Sequence, residues 1–134
     1  MTAQDACRRP QRVRVGGDLY HGRVPDGAVY VGRTVPGLAG SPYANPHRIG
    51  RPCRWCDAVH DQRTAVLAYV ADLMRCPDLA GRIRGELAGR DVACWCRTGP
   101  CHADVLILVA AGTEPAAVYA AVRNSQATIE RPIV

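Results

Sequence analysis

The amino-acid sequence predicts an α/β fold: a small Rossmann-like single domain with a short, mostly parallel sheet flanked by helices. Three observations predict it. Runs of strand length occur early, near residues 11–15 and 28–31, and again late, at 91–96. Between them lie two stretches in which apolar residues recur at helical spacing, and a further one follows the last strand. Strand, loop, two helices, strand, helix is the element order of an α/β domain, and the apolar strand segments suit a sheet covered on both faces.

The 134 residues suit one domain, and with 48% of them apolar, burial can support a fold without covalent staples. The chain divides into a flexible arm at 1–10, a single α/β domain at 11–123 with a candidate zinc-binding loop at 50–60, and a tail at 124–134. Gln11–Val15 alternates polar and apolar residues, as a half-buried edge strand does. Gly16, Gly17 and Asp18 break it. Ala28–Val31 is a continuous apolar strand closed by Gly32 and Arg33. From Thr34 to about His60 runs a loop punctuated by Pro36, Gly37, Gly40, Pro42, Pro46, Gly50 and Pro52. A loop of that length inside a compact domain is functional or disordered, and the Ser41–Pro46 segment, with its paired prolines and polar side chains, favours function.

Asp61 reads as the N-cap of a helix running to about Arg75, with Val66, Tyr69, Val70 and Leu73 on one face. Pro77 opens a second helix, with Leu79, Ile83 and Leu87 in register and Gly89 at its end. Asp91–Cys96 is a short strand. Cys101 or His102 starts a third helix that ends near Gly112, and Pro115–Val122 forms a fourth.

All 17 basic residues are arginine, and the net charge of +5 favours polyanionic or phosphorylated partners, although a solvated basic surface gives the same balance. The polar start and the absence of a run of ~18 apolar residues predict a soluble, cytoplasmic protein with no membrane association. Seven cysteines in a reducing compartment point to metal binding or reactive thiols rather than a disulfide framework. There is no Walker loop and no complete G-x-G-x-x-G.

The chemistry concentrates in Cys94–His102, with Cys94, Cys96, Cys101 and His102 at a strand-to-helix junction. Cys94 and Cys96 share one face of the strand. The turn at Thr98–Pro100 can bring Cys101 and His102 back over the strand end, where open α/β sheets bind ligands and a helix N-terminus favours a thiolate or phosphate. Three readings stay open: zinc ligation, nucleophilic or acid–base catalysis by Cys96 or Cys101 with His102, and buried thiols acting as small hydrophobes. A second cluster, Cys53, Cys56 and His60, has the spacing Cys-x2-Cys-x3-His of a metal loop. Its fourth ligand would come across space from Cys94, Cys96, Cys101 or His102, Cys94 being the first choice. Arg33 is a candidate anion clamp, with His47, Arg48 and Arg51 beside it. Asp104 could orient His102 or favour the helix dipole. Trp55 could stack a base, whereas Trp95 reads as core.

Val29–Arg33, Ser41–His47, Leu87–Cys96 and Cys101–Leu106 together resemble the domain-of-unknown-function family numbered 4326, over roughly residues 11 to 112. The Cys-Trp-Cys and Cys-His parts carry most of that resemblance. The Cys53/Cys56/His60 element resembles an addition that some members lack, which fits a structural accessory. The resemblance implies a compact Rossmann-like α/β fold of the kind that handles nucleotides, and no established activity.

The sequence therefore predicts a site at one sheet edge that binds a nucleotide, nucleoside or other anionic, phosphorylated small molecule. Gly32, Arg33, Ser41, Asn45 and His47 are its ligand-binding residues, and Cys96, Cys101 and His102 its reactive groups. If the chain is an enzyme, hydrolysis or group transfer is the expected reaction. Zinc is the expected metal. The alternatives are a zinc-stabilised nucleic-acid-binding module and a thiol redox sensor.

Overall fold

Three parallel strands order the molecule: β1 (Arg12–Arg14), β2 (Val29–Tyr30) and β3 (Val92–Cys94), arranged β1-β3-β2. The computed structural model describes residues 9–96 and 99–124. The arm at residues 1–8 and the tail at 125–134 lie outside the described residues. Arg12 and Val29 both pair with Val92, so the last strand in sequence becomes the centre of the sheet. All three β3 residues are buried, which explains their unbroken apolar character. Ladder-like bonds continue past the strand ends, from Val15 N–H to the Cys94 carbonyl and from Val31 N–H to the Ala93 carbonyl, each at 2.9 Å.

The half-buried β1 is an edge, as its alternation predicts. The apolar run at 28–31 is also an edge rather than a strand covered on both faces. Val29 and Tyr30 are only partly buried, and Val31 alone is sealed. Apolar continuity reports burial, and here the loop that follows β2 supplies part of the cover.

Four helices follow among the described residues. In α1 (Gln62–Arg75) Asp61 closes a reciprocal box: its carboxylate accepts from Thr64 N–H at 2.8 Å, and the Thr64 hydroxyl accepts from Asp61 N–H at 2.9 Å. Asp61→Ala is expected to cost about 1 kcal/mol in urea unfolding, and Asp61→Asn much less, because the amide can still cap. Pro77 starts α2 (Pro77–Leu87), and Gly89 turns the chain back with φ 75°. The most apolar helix, α3 (His102–Ala110), packs on β1, β3 and the other three helices. Its residues 103 and 105–109 are buried almost all round, as a central helix requires. The last helix, α4 (Pro115–Asn124), runs two residues past the expected end and lies on α1 and α3. No helix among the described residues is long and apolar enough to cross a membrane.

Candidate functional site

The carboxyl ends of β2 and β3 open into a cleft of about 310 Å³. Gly32 and Arg33 enter it from β2, Asn45 and His47 from the long loop. Cys94 and Cys96 enter from β3, Cys101 and His102 from the start of α3. Ser41 lies in an adjoining hollow of about 580 Å³ that shares Arg33 and Asn45 with the cleft and adds Thr34 and Arg48. Cys53, Cys56 and His60 are not on the cleft wall.

The return bend after β3 depends on local conformation. Gly99 has φ 80°, a left-handed backbone that disfavours side chains, and the Gln62 amide fills the space its Cβ would need. Gln62 Nε2 donates to the Pro100 carbonyl at 2.6 Å, and Arg12 Nη1 donates to the Gly99 carbonyl at 3.0 Å. Cys101 then caps α3, its sulfur accepting from Ala103 N–H at 3.4 Å. The sulfurs of Cys94, Cys96 and Cys101 all lie within 4.8 Å of one another.

That packing divides the thiols. Hydrogen bonds from Cys101 and Cys94, aided by His102 and Arg12, overcome burial and hold Cys96 far below the usual thiol range. For Cys94, the bond from Cys101 is outweighed by its own bond to Cys96 and by burial, which push it up to about 11. The sulfur of Cys94, which accepts from Cys101 at 3.4 Å, then that of Cys96, and then burial raise Cys101, so it stays a thiol. Of the two expected nucleophiles, Cys96 is therefore the more acidic, while Cys101 is the buried cap of α3 at the foot of the cleft. His102 Nε2 donates to the Val31 carbonyl at 2.7 Å. Burial lowers its pKa against that bond, so the ring is neutral, with the Nδ1 lone pair 3.8 Å from the Cys101 sulfur. Asp104 lies in the first turn of α3, where the helix dipole favours it as expected, and accepts from Arg12 at 2.8 Å.

Tyr69 supports this wall: its ring meets His102 edge-on at 5.4 Å, and its hydroxyl donates to the Tyr43 carbonyl at 2.8 Å. Burial, then the Asp72 charge, raises Tyr69 above its ordinary 10.0. With the folded pKa raised, this residue's contribution to stability is complete below about pH 10 and is lost as pH climbs towards the folded value. Tyr69→Phe is expected to cost about 1 kcal/mol at neutral pH. Its urea midpoints should also fall less steeply above about pH 10 than those of the parent.

The second cluster is complete without Cys94. His47, Cys53, Cys56 and His60 place one donor atom each within 4.8 Å of the others. His47 Nδ1 is 3.2 Å from Cys53 Sγ and 3.9 Å from Cys56 Sγ, and His60 Nε2 is 2.9 Å from Cys56 Sγ. Tetrahedral zinc with bonds of about 2.0–2.3 Å sets its donors roughly 3.3–3.8 Å apart, so these atoms fit one ion. The far nitrogens are anchored too. His47 Nε2 lies 2.7 Å from Asp72 Oδ2 and His60 Nδ1 3.3 Å from the Thr64 hydroxyl, so with a metal bound each far nitrogen has a partner for its proton while the near one ligates. Burial opposes ionisation of Cys53, but Trp55 N–H, His47 and Cys56 together hold it at about 6. Cys56, which donates to Cys53, is raised. The expected fourth ligand, Cys94, belongs instead to the three-sulfur group, while His47, expected as a cleft ligand, completes this one.

Other expected roles also shift. Asn45 lines the cleft but braces it: Nδ2 donates to the Ala65 carbonyl at 3.0 Å, and Oδ1 accepts from His47 N–H at 2.9 Å. Arg33 spends Nε on the Asn45 carbonyl at 3.0 Å and Nη2 on the His47 carbonyl at 3.2 Å, leaving Nη1. Trp95 is half-buried on the cleft wall rather than in the core, and its indole donates to the Tyr30 hydroxyl at 2.9 Å. That hydroxyl donates to the Arg33 carbonyl at 2.6 Å, with the Tyr30 ring lying where a Gly32 side chain would be. Sequence reasoning missed Arg12, Asp72 and Thr64 as supports. Thr64 carried a signal as the third helix position after Asp61.

A family model described as Domain of unknown function (DUF4326) matches residues 19–112. No curated protein and no solved structure matches the chain.

Proposed function

The chain belongs to the DUF4326 family, and from its site we propose that it binds a nucleotide or a similar phosphorylated small molecule across the cleft and the adjoining hollow. The observation that carries this reading is the placement of Arg33. It stands between an apolar cleft, walled by Leu19, Val35 and Trp95, and a polar hollow that it shares with Arg48 and Ser41. Burial and the nearby Arg48 both work against its charge, and neither guanidinium has an acidic partner among the described residues. An anion between them relieves that repulsion, and the cleft offers room for a ring system beside it. The carboxyl end of a parallel sheet is where Rossmann-like domains place such ligands, which supports the same assignment for this three-stranded sheet.

In this reading zinc occupies the group formed by His47, Cys53, Cys56 and His60 and fixes the loop that forms one wall. The Cys96 thiolate and the neutral His102 ring face the ligand, and hydrolysis or group transfer at a glycosidic or phosphate bond is the reaction class. A thermal-shift series with nucleoside mono- and diphosphates, nucleosides and inorganic phosphate tests it. Phosphorylated nucleosides at about 100 times Kd should add roughly 2.7 kcal/mol of stability, and the bare nucleosides less at the same concentration. Absence of any shift at millimolar concentration would remove the reading.

One observation favours a second reading. Trp55 is 66% exposed with the Arg54 guanidinium 5.7 Å from its ring, and it lines with Arg48 and Arg51 a separate depression on the loop. Stacking on Trp55 with phosphate contacts from these arginines would make the loop a single-strand nucleic-acid binder. Binding to a single-stranded oligonucleotide that weakens steeply with salt and is lost in Trp55→Ala would support it.

A further inference from the structure

We propose that Cys94, Cys96 and Cys101 form a second metal site, which holds a thiophilic divalent ion, zinc in the first place, through three sulfurs and keeps its fourth position open to the cleft. The inference goes beyond the nucleotide reading and does not rest on it, since the sulfurs would hold the ion whatever the cleft binds.

Several independent features converge on this site. Cys101 Sγ is 3.4 Å from Cys94 Sγ, close to the roughly 3.8 Å that separates thiolates on one tetrahedral zinc, and Cys96 Sγ lies within 4.8 Å of both. Three neutral thiols, each a weak donor and a weak acceptor, would gain little from such crowding, whereas a cation gains from every sulfur. They are nevertheless aimed at one point from rigid elements: the central strand, the residue two beyond it, and the cap of α3. Backbone N–H groups serve the sulfurs as they would serve thiolates, Ala103 to Cys101 and Cys96 to Cys94. Three thiolates on a divalent ion leave one net negative charge. Arg12 lies within electrostatic reach of all three sulfurs, held by Gly99 and Asp104, and the α3 N-terminus adds its partial positive charge.

The contrast with the loop cluster assigns the two sites different characters. The loop supplies four donors and closes its site, as structural zinc sites are closed. Here three donors converge, and no other His, Cys, Asp or Glu among the described residues completes the group. The nearest imidazole, His102, turns Nε2 to the Val31 carbonyl, and its Nδ1, though 3.8 Å from Cys101 Sγ, is not within 4.8 Å of all three sulfurs. All three cysteines are among the residues that line the cleft, Cys94 and Cys101 buried and Cys96 half-buried, so a fourth position would be reached from the cleft. Water, or an oxygen or nitrogen of a cleft ligand, would fill it. With the ion bound, Cys96 is a ligand, and the open position rather than the sulfur meets the occupant.

Metal analysis of the full chain purified without chelator is the test. About two equivalents of zinc per chain are expected, falling to about one in Cys96→Ser and, independently, to about one in Cys56→Ser. Cys96 is the half-buried member, so its serine variant carries the test if Cys94→Ser fails to fold. Cobalt loaded into stripped Cys56→Ser should give sulfur-to-cobalt absorption, with visible bands that shift on adding imidazole, as an exchangeable fourth position requires. A single equivalent that persists in Cys96→Ser and disappears in Cys56→Ser would overturn the proposal. So would a Cys94–Cys101 disulfide in the intact mass of the native protein. Two metals with no nucleotide shift would end the nucleotide reading and leave this site standing; one metal, lost only in Cys56→Ser, together with a nucleotide shift would do the reverse.

Discussion

Cys56→Ser, or chelation of the parent protein, is expected to lower the melting temperature by about 10 °C or more, corresponding to roughly 3 kcal/mol at this chain length. The segment from His47 to His60 has little else to hold it. Ile49, Trp55 and Val59 are exposed, so burial contributes little, and the backbone is joined mainly by short bridges at Ile49–His60 and Pro52–Val59. Ordering each residue costs about 1–2 kcal/mol of conformational entropy, which such bridges do not offset. An ion joining His47 to Cys53, Cys56 and His60, as proposed above, would supply what burial does not. Its loss should also reach the cleft, because His47 lines it and its carbonyl holds Arg33. Hydrogen exchange should accelerate across residues 47–60 while α3 stays protected, and nucleotide shifts should vanish with the metal. Cys76→Ser is the control: this thiol lies exposed between α1 and α2, outside both clusters, and its replacement should change stability by no more than about 0.5 kcal/mol. Calorimetry that found the chelated and untreated proteins melting together would refute the structural role of the loop ion.

The helices were legible because their determinants are local. Asp61 with Thr64, the stripe from Val66 to Leu73, and Pro77 each act within one or two turns. The strands were legible as apolar runs, but their rank in the sheet was not. Ala28–Val31 and Val92–Cys94 look alike in sequence, and only the pairing of both early strands with β3 makes one an edge and the other the centre. The cysteines of the bend announced themselves by crowding, yet nothing in their spacing separates Cys94 from the loop cluster. His47 joins that cluster from six residues before Cys53, through a loop whose path no periodicity records. Asn45 illustrates the opposite difficulty. A polar residue between prolines suggests a ligand contact, whereas the structure spends its amide on Ala65 and His47. Residues that recognise a ligand and residues that hold the wall around it share the same chemistry, so their roles separate only once distances are known.

Arg33 combines both roles, which makes its replacement the most informative change in the cleft. Arg33→Ala removes donors from the Asn45 and His47 carbonyls at 3.0 and 3.2 Å. Hydrogen bonds from a charged donor contribute about 1.5–3 kcal/mol each, but water reaches part of this site, so a total loss of about 2–4 kcal/mol is expected. Nucleotide affinity should fall at least about tenfold, equivalent to 1.4 kcal/mol, because in the proposed reading the same guanidinium, with Nε and Nη2 spent on the loop, holds the anion through Nη1. Arg33→Lys separates the contributions. An ammonium restores the charge but cannot reproduce a planar fork reaching two carbonyls, so it should recover ligand affinity further than stability. Arg48→Ala supplies the complementary control. Arg48 is exposed, so its loss should leave stability within about 0.5 kcal/mol while weakening phosphate-bearing ligands several-fold. Urea unfolding and calorimetric titration of the three variants give both quantities. If Arg33→Ala destabilised the fold while Arg48→Ala left nucleotide affinity untouched, the hollow between the two guanidiniums would not be an anion site, and Arg33 would serve only to hold the loop.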